Sequence, residues 1–518
     1  MGHLRHTPKV TRTGDPPMTK RSQSQLLALP APLPGGGGLR DGIYRACVAA
    51  IRDGRLAAGR RLPSSRQLAS DWQVARNTVD DALAQLHSEG LIVRRVGAGT
   101  FVAPDVVARP TAADAAHRAL AALGKRALAA ASSRGASAAR PFAARSVPRP
   151  RPFVAGMAAL DAFPLDVWRR LAARCWRTNG PALLGYLPAS GYPPLQSAIA
   201  DHLAAARGIR CAAAQVMVLN SAMQALDLIA RVLVERDDVG WVEDPCYPNL
   251  RAVLTMAGVR IASVPVDAEG MAVQRMARNA RTPALICVTP SCQYPTGTVM
   301  SLARRLALLR VAEQSGSWIV EDDHQAEFTW VGRAAAPVFA LDRGARTLYV
   351  GTFSHTVFPS LRLAYVVLPP SLVDVFHAVR RQLDDHTHGF LQAVLADFMA
   401  GGHYAAHLRR MRTLYSGRRQ ALIDAFARLA PHHALGGLAS GMHATLELPA
   451  RVDDRTAAAC AARAGIRVLP LSRYVNGPAA GNGLLLGYSA LPERRIAAAV
   501  AGLARALTAG ESGRNRGR

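Results

Sequence analysis

Two hydroxyl groups, an imidazole and a guanidinium lie around one turn of the sequence. Thr352, Ser354 and His355 follow the apolar run 347–350, and Arg362 precedes a second apolar run. Arginine is a bidentate donor suited to phosphate oxygens, and histidine titrates near neutrality. The turn therefore offers donors for an anion and one group that could act as a weak base or hydrogen-bond a ligand.

A second segment has the pattern of an anion-binding helix start. Ser221 with Gln224 three residues later is a possible capping box, which predicts a helix that begins at Ala222. The amides of Ala222 and Met223 would point out of its N-terminus and could hold a dianion.

Apolar strands alternate with helical stretches from Phe153 to about Leu507. This alternation predicts an α/β domain with a mostly parallel sheet that is covered by helices. Ligands of such sheets bind at the carboxyl ends of the strands, where these motifs lie. The predicted strands are residues 216–219, 240–243, 261–264, 284–288, 317–321, 347–350 and 364–367.

A smaller pattern of helices and a hairpin covers residues 39–103. Ile43, Cys47, Ile51 and Leu56 share one helical face. A capping box at Ser64 and Gln67 predicts a short helix to about Trp72, and a second helix follows from about Arg76 to Ser88. Val79, Leu83 and Leu86 of that helix face inward, and glycines turn a β-hairpin over residues 91–102. These elements make a winged helix-turn-helix.

The second of these helices can enter the major groove of double-stranded DNA. Its first turn offers side chains to base edges and phosphates, while the first helix and the wing flank the DNA backbone. The predicted DNA-binding residues are Arg66, Arg76, Asn77, Thr78, Arg94, Arg95 and Gly97. The alternative is a protein-binding winged helix whose arginines are only solvated.

Composition sets limits on the class of protein. At 518 residues the chain suggests two or three domains, and a formal charge of +27 favours polyanion partners such as nucleic acid. Without a long apolar run or an apolar leader, neither a membrane span nor a secretory signal is expected. Seven scattered cysteines argue against a disulfide framework or structural zinc. We expect a cytoplasmic protein.

The chain divides into five predicted segments. Residues 1–38 form a disordered basic arm, 39–103 the winged helix, and 104–150 an Ala-, Arg- and Pro-rich linker. Residues 151–508 form the large domain, and 509–518 a disordered tail. The arm could touch DNA or be an inert tail.

The small domain resembles the GntR-type DNA-binding domain. The family's L-P-S-x-R-x-L-A and R-N-T-V motifs stand here as residues 62–69 and 76–79. One departure is Ala75, which replaces the usual hydroxyl residue that caps the recognition helix and can meet a phosphate. The loss is expected to weaken DNA binding by about 1 kcal/mol.

The large domain resembles the fold-type I aminotransferase-like domain of the MocR/GabR group of transcription regulators. Seven segments match in the family's order: 184–191, 220–226, 243–247, 289–297, 321–328, 350–369 and 403–412. The cofactor of this fold is pyridoxal 5′-phosphate (PLP). The resemblance implies that Tyr247 stacks on its pyridine ring, that Asp322 pairs with the pyridine nitrogen, and that Tyr186 reaches the cofactor phosphate of a neighbouring subunit. Thr352, Ser354, Arg362 and the Ala222 and Met223 amides would hold the phosphate.

Four departures from the family cluster at the chemical centre. His355 replaces the lysine whose amine forms an imine with PLP, and His324 replaces a tyrosine near the phenolic oxygen. Cys292 replaces a histidine, and Leu485 replaces the arginine that binds a substrate carboxylate. The lysines of the chain are Lys9, Lys20 and Lys125, so no shift of register supplies another amine from residue 126 onward. No catalytic residue is assigned, and transaminase activity is not expected.

Three interpretations of the pocket stay open. It is a relic retained as a dimerisation scaffold, or it binds PLP, pyridoxamine phosphate or a preformed imine without a covalent bond, with His324 and His355 beside the ligand. In the third interpretation, the pocket holds another small anion or a metal ion. The metal would be bound by His324, His355 and Cys292, although their spacing matches no metal-binding motif. The predicted protein is a homodimeric DNA-binding regulator with a possible small-molecule effector. The alternatives are a PLP-dependent enzyme with an appended DNA-binding domain and a purely architectural DNA-binding dimer.

Overall fold

The computed structural model describes residues 38–104 and 151–515, apart from positions 53, 96, 277–280, 333–334 and 477–480. The chain divides into two compact units, Met1–Ala130 and Ala131–Arg518, and the division falls within the predicted linker. The predicted basic arm and linker lie outside the described residues, except for Gly38 and Pro104 at their edges.

The described part of the first unit is a winged helix-turn-helix, as predicted. Val79, Leu83 and Leu86 of its third helix are buried in one apolar cluster with Ile43 and Cys47 of its first helix. Its elements are α1 (Gly38–Arg52), α2 (Ser65–Trp72), α3 (Arg76–Ser88), β1 (Ile92–Arg95) and β2 (Gly99–Val102).

Side-chain capping differs between the two helices of the helix-turn-helix. Ser64 Oγ accepts a hydrogen bond from the Gln67 amide at 3.2 Å, which fixes the start of α2. The reciprocal half of the predicted capping box is replaced, because Gln67 Nε2 donates to Asp71 Oδ1 at 2.9 Å instead. Ala75 occupies the N-cap position of α3 and makes no side-chain hydrogen bond there. The first amides of α3 therefore have no side-chain acceptor at the cap position.

The second unit is built on an eight-stranded, mostly parallel sheet. All seven predicted strands are present, and a two-residue strand is added at one edge. The strands are β3 (Val216–Leu219), β4 (Val239–Asp244), β5 (Arg260–Asp267), β6 (Gly270–Met271), β7 (Leu285–Val288), β8 (Trp318–Asp322), β9 (Thr347–Thr352) and β10 (Ala364–Val367). Their order is β3-β10-β9-β8-β7-β4-β5-β6, in which β10 is antiparallel to both of its neighbours.

Helices cover both faces of this sheet, since alternate strand residues are buried on opposite sides. In β3, Met217 and Leu219 pack in a cluster with Leu226 and Ile229, whereas Val216 and Val218 belong to the cluster on the other face. The helices are α4 (Leu165–Asn179), α5 (Pro193–Arg207), α6 (Ala222–Leu233), α7 (Pro248–Met256), α8 (Leu302–Ser315), α9 (Val338–Leu341), α10 (Val373–Leu383), α11 (Gly389–Ala400), α12 (His403–Leu429), α13 (Asp454–Arg463) and α14 (Glu493–Asn515).

A second, antiparallel sheet follows α12 in the chain. It has the order β11-β12-β14-β13, with β11 (Leu435–Gly436), β12 (His443–Glu447), β13 (Leu469–Pro470) and β14 (Gly483–Gly487). The sequence predicts a disordered tail from residue 509, whereas α14 continues to Asn515. Among the described residues, no helix is both long and apolar enough to cross a membrane.

Candidate ligand pocket and nucleic-acid interface

The first turn of α3 presents polar side chains to solvent. Arg76 and Asn77 are exposed and Thr78 is half-buried. Arg76 Nε lies 3.5 Å from Asp80 Oδ2 one turn further on, an exposed pair that a phosphate could replace at little cost. Arg66 is exposed on α2. The predicted groove-reading residues thus lie on the surface of the winged helix.

The wing also presents its predicted residues to solvent. Arg94 and Arg95 are exposed on β1, and Gly97 in the turn has φ +73°, a left-handed conformation that glycine adopts without strain. The Arg95 guanidinium lies 4.9 Å from the centre of the Phe101 ring, a cation–π contact.

A small cavity in the second unit lies where three neighbouring strands end. Asp322 is the last residue of β8, Thr289 directly follows β7, and Glu243 is next to last in β4. This is the carboxyl edge of the sheet, where ligands of such folds bind. The lining residues are Leu226, Glu243, Cys246, Tyr247, Leu250, Cys287, Val288, Thr289, Tyr294, Val320 and Asp322.

Asp322 is the predicted ring-binding acid of this cavity. Its Oδ1 is buried and has no hydrogen-bond partner among the described residues. Burial raises the pKa of this carboxyl group, and His324, whose Nδ1 lies 3.9 Å from Oδ1, opposes that rise. A buried acceptor without a donor is unfavourable, so a ligand that donates a hydrogen bond here would stabilise the site.

Tyr247, for which the sequence predicts stacking on a pyridine ring, lines the same cavity. It precedes α7, and its hydroxyl accepts a hydrogen bond from Asn249 Nδ2 at 2.9 Å. Its ring meets Tyr294 edge to face at 5.8 Å between centres. These contacts fix the orientation of the aromatic ring that would stack on a ligand.

Glu243 is a cavity residue that sequence reasoning missed. It is buried and accepts hydrogen bonds from the Thr289 amide at 3.2 Å and the Thr289 hydroxyl at 2.5 Å. Burial raises the pKa of its carboxyl group to about 7. The signal in the sequence that could have identified Glu243 is a carboxylate near the end of an otherwise apolar strand. A buried charge needs polar partners, so such a residue indicates a polar site.

The predicted helix start at Ala222 is present. Ser221 Oγ accepts the Gln224 amide at 3.1 Å, and α6 begins at Ala222 with Met223 second. The Gln224 side chain also contacts the chain before the helix, since its Oε1 accepts a hydrogen bond from the Asn220 amide at 2.7 Å. This arrangement orients the first amides of the helix toward the loop that precedes it.

The hydroxyl-rich turn joins β9 to β10. Thr352 ends β9, and its Oγ1 accepts the Ser354 amide at 3.2 Å, which tightens the turn. Arg362 has φ +53° and its side chain is exposed. The ring of His355 lies 6.0 Å from that of His324, and its Cε1 lies against the backbone of Gly156. The structure therefore brings His355 close to His324, which itself lies near Asp322.

Tyr186 lies apart from the cavity residues. Its side chain is 90% exposed, the highest value among the large apolar side chains of the described residues, and its ring meets His386 edge-on at 6.0 Å. Its predicted contact is with a neighbouring subunit, and an exposed tyrosine is compatible with that role.

The remaining departures, Leu485 and Cys292, are both buried. Leu485 is fully buried in β14, opposite Thr445 and Leu469. Burial raises the pKa of the Cys292 thiol to about 12, so it stays protonated at neutral pH. No group of three or more His, Cys, Asp or Glu in the described chain could hold a metal ion, so the metal interpretation on His324, His355 and Cys292 lacks support.

Comparisons with known proteins agree with both domains. Residues 156–480 match the family described as aminotransferase class I and II, and residues 39–102 match bacterial regulatory proteins of the gntR family. The probable rhizopine catabolism regulatory protein MocR of Rhizobium meliloti is 37% identical over 474 residues, which cover 91% of this chain and 94% of that protein. The chain belongs to the MocR-type transcriptional regulators.

Other similar proteins include regulators and solved enzymes. The transcriptional regulator TauR of Rhodobacter capsulatus is 32% identical over 92% of this chain and 98% of its own length. The structure of LysN, an α-aminoadipate aminotransferase from Thermus thermophilus, shares 27% identity. It superimposes with a TM-score of 0.64 over 70% of this chain and 92% of LysN. The large unit of this MocR-type regulator therefore has the aminotransferase fold.

An ionic cluster beside the pocket of this MocR-type regulator was also missed by sequence reasoning. Arg207 Nη2 lies 2.6 Å from Asp323 Oδ2, which accepts a second hydrogen bond from the Tyr349 hydroxyl, also at 2.6 Å. The same arginine donates to Ser291 Oγ at 2.9 Å. The cluster anchors the chain directly after Asp322, so it helps to position that acid. No local pattern reveals it, because Asp323 and Tyr349 are 26 residues apart along the chain and Arg207 is more distant still.

Proposed function

We propose that this MocR-type regulator binds DNA as a homodimer and holds a small phosphorylated pyridine ligand without a covalent bond. Support for DNA binding comes from the exposed Arg76 and Asn77 at the start of α3. Two copies of the winged helix would bind paired half-sites of an operator. The cytoplasm is the expected location.

The observation that carries the ligand proposal is the buried Oδ1 of Asp322 in a cavity shared with Tyr247. A protonated ring nitrogen would supply the missing donor, and the Tyr247 ring would pack against the ring face. The phosphate would bind the amides of Ala222 and Met223 together with Arg362. These residues fit PLP or pyridoxamine phosphate, and LysN was solved with N-(5′-phosphopyridoxyl)-L-leucine.

The same pocket is poorly suited to transamination. PLP, when bound in an enzyme, withdraws electrons from the reacting carbon, while a lysine normally provides the covalent link and moves the proton. His355 can hydrogen-bond a ligand or exchange a proton, but it has no primary amine to form the link. Leu485 offers no charge to a substrate carboxylate. We therefore propose a regulator without transaminase activity.

Dimerisation is the second part of the proposal. The high exposure of Tyr186 (90%) and of Leu184 (77%), two residues earlier, supports a contact with another subunit, because neighbouring large apolar side chains left in water gain by burial. An effector would change DNA binding only if it favoured one arrangement of the two DNA-binding domains over another. The alternative is a scaffold that dimerises and binds no effector.

One titration tests the ligand proposal. Purified protein is titrated with PLP and with pyridoxamine phosphate by calorimetry, then treated with borohydride. Saturable binding without a borohydride-stable adduct in the pocket is expected. Asp322→Ala should abolish binding, while Asp227→Ala on α6 serves as a control. No binding of either compound would favour the scaffold, and a covalent adduct would refute the non-covalent site.

A companion variant tests whether the rest of the pocket is intact. His355→Lys restores a primary amine at the position that the family uses. It should yield a borohydride-stable adduct with PLP, detected by mass spectrometry, because the ring and phosphate contacts do not depend on His355. Failure of this variant to react would contradict the proposed placement of the ligand.

A further inference from the structure

The wing of the winged helix has a third extended segment. Leu62 donates its amide hydrogen to the Thr100 carbonyl at 2.8 Å, and Val102 donates to the Arg60 carbonyl at 2.8 Å. Arg61 is thereby paired antiparallel with Phe101. The residues that precede α2 therefore form an outer strand beside β2.

Strand register decides which face of the wing each side chain occupies. Within the hairpin, Ile92 pairs with Val102, and both are fully buried on the core side. Residues directly opposite each other share a face, and faces alternate along a strand. Arg95, which is three residues from Ile92, therefore lies on the outer face. Phe101 and its partner Arg61 lie on that outer face as well.

Two guanidinium groups are held against the wing on this outer face. The Arg95 guanidinium lies on the Phe101 ring, at 4.9 Å from the centre. The Arg61 guanidinium lies over Gly99: a Cβ at that glycine would approach Arg61 Nε to 2.9 Å. Each arginine leans diagonally across the sheet, because Arg61 is opposite Phe101 and Arg95 is opposite Gly99.

This arginine pair has no carboxylate partner in the described structure. Within the described part of the winged helix, ion pairs join Arg40 to Asp41 and Arg76 to Asp80. Arg61 and Arg95 are both exposed. Both guanidiniums lie on the same face with no carboxylate to neutralise them, so an anion bound there would be attracted to both charges.

We propose that Arg61 and Arg95 together form a phosphate-binding site for the DNA backbone, with Gly99 and Phe101 as the supports that hold the two guanidiniums. The inference rests on the proposed DNA binding and adds Arg61, which lies outside the helix-turn-helix and the hairpin. Holding a guanidinium in place before binding reduces the entropy lost when it meets a phosphate. Gly99 has φ +113°, a conformation that favours glycine, and the missing Cβ leaves the space in which the Arg61 guanidinium lies.

The contact carries no sequence information. Phosphate contacts position a protein on DNA but do not read bases, so the pair should strengthen binding to every duplex equally. Arg94 points to the opposite face of the wing, since it lies next to Arg95 in the strand. It is therefore not part of this pair.

The salt dependence of DNA binding tests the proposal with the full-length protein. A fluorescent duplex is selected from a random-sequence pool with the wild-type protein, and a second, unselected duplex is the non-specific probe. Anisotropy titrations over a series of salt concentrations give the slope of log affinity against log salt. Arg61→Ala removes one phosphate contact from each of the two winged helices of the dimer, so it should lower the slope by about 1.8 and weaken binding to both duplexes roughly a hundredfold. Arg428→Ala, which removes one exposed charge from α12, is the matched control.

Further variants separate the charge from the fold. Arg61→Lys keeps the charge but loses the planar group that lies over Gly99, so the slope should be retained with intermediate affinity. Circular dichroism should show the same helix content in all variants.

The outcomes distinguish this site from DNA binding in general. If Arg61→Ala matches Arg428→Ala while Arg76→Ala weakens binding, the arginine pair is refuted and DNA binding stands. A loss confined to the selected duplex would also refute a phosphate contact. If the wild-type protein selects no duplex, DNA binding itself fails.

Discussion

Replacement of Asp323 by asparagine should destabilise the second unit strongly. Asp323 is fully buried and Arg207 is only 6% exposed, with 2.6 Å between Arg207 Nη2 and Asp323 Oδ2. Asp323→Asn leaves the arginine in a low-dielectric environment without its nearest counter-ion. Removing one partner of such a pair lowers the free energy of unfolding by about 3–5 kcal/mol. It also weakens the hydrogen bond from the Tyr349 hydroxyl.

The matched control is an exposed pair of the same residue types. Arg231 Nε lies 2.7 Å from Asp227 Oδ2, and the side chains are 53% and 32% exposed. Because water already solvates both groups, Asp227→Asn should lower the free energy of unfolding by about 0.2–1 kcal/mol. The comparison holds the substitution constant, and the two sites differ in burial and in the hydrogen bond from Tyr349.

Urea unfolding followed by tryptophan fluorescence measures both variants in the full-length protein. Of the six tryptophans, Trp72 alone lies in the first unit, so the signal reports mainly on the second. A difference of less than about 1 kcal/mol between Asp323→Asn and Asp227→Asn would refute the reasoning. The double variant Arg207→Met with Asp323→Leu should lose less stability than Asp323→Asn, because it leaves no unpaired charge.

Three further predictions concern the cap, a close backbone approach and a buried histidine. Ala75→Ser should supply the missing side-chain cap of α3 and raise the free energy of unfolding of the winged helix by about 1 kcal/mol, measured by calorimetry. Gly297→Ala should destabilise by about 2–4 kcal/mol in urea, since φ is +70° and a Cβ would lie 2.6 Å from the Gly437 carbonyl oxygen. Gly316→Ala, with the same φ but no atom within 4 Å, should lose only the conformational part, about 1–2 kcal/mol. Burial lowers the pKa of His443 from its usual 6.5 to about 4. Its neutral form therefore stabilises the fold by about 3 kcal/mol above pH 6.5, and this contribution is lost as pH falls through 4. His443→Asn should make the free energy of unfolding depend less on pH in the acid range.

The sequence by itself determined the elements and the chemistry that is missing. The start of α6 at Ala222, the cap at Ser64 and the inward face of α3 depend on residues within one or two turns, so local patterns were sufficient. The absence of lysine after Lys125 is likewise a property of the sequence alone. It leaves the aminotransferase-like domain without a lysine amine from residue 126 onward.

Only the tertiary structure decided which distant residues meet. The order of the sheet places β8 between β7 and β9, which brings Asp323 to Tyr349, 26 residues later, and to Arg207, 116 residues earlier. Glu243 likewise meets Thr289 across 46 residues. Sequence patterns carry little information on such pairs, because local hydrophobic periodicity is the same for many strand orders.

The pairing of Arg61 with Phe101 shows the same limit within the small domain. Arg61 lies in a short segment before α2 that has no strand pattern, and its pairing depends on how the hairpin packs on the helices. Arg94 and Arg95 are neighbours in a strand, so the sequence alone implies that they lie on opposite faces of the wing. Which of the two faces is the outer one can be decided only when the buried side of the hairpin is known. Burial of Ile92 and Val102 fixed that side, because apolar residues must leave water.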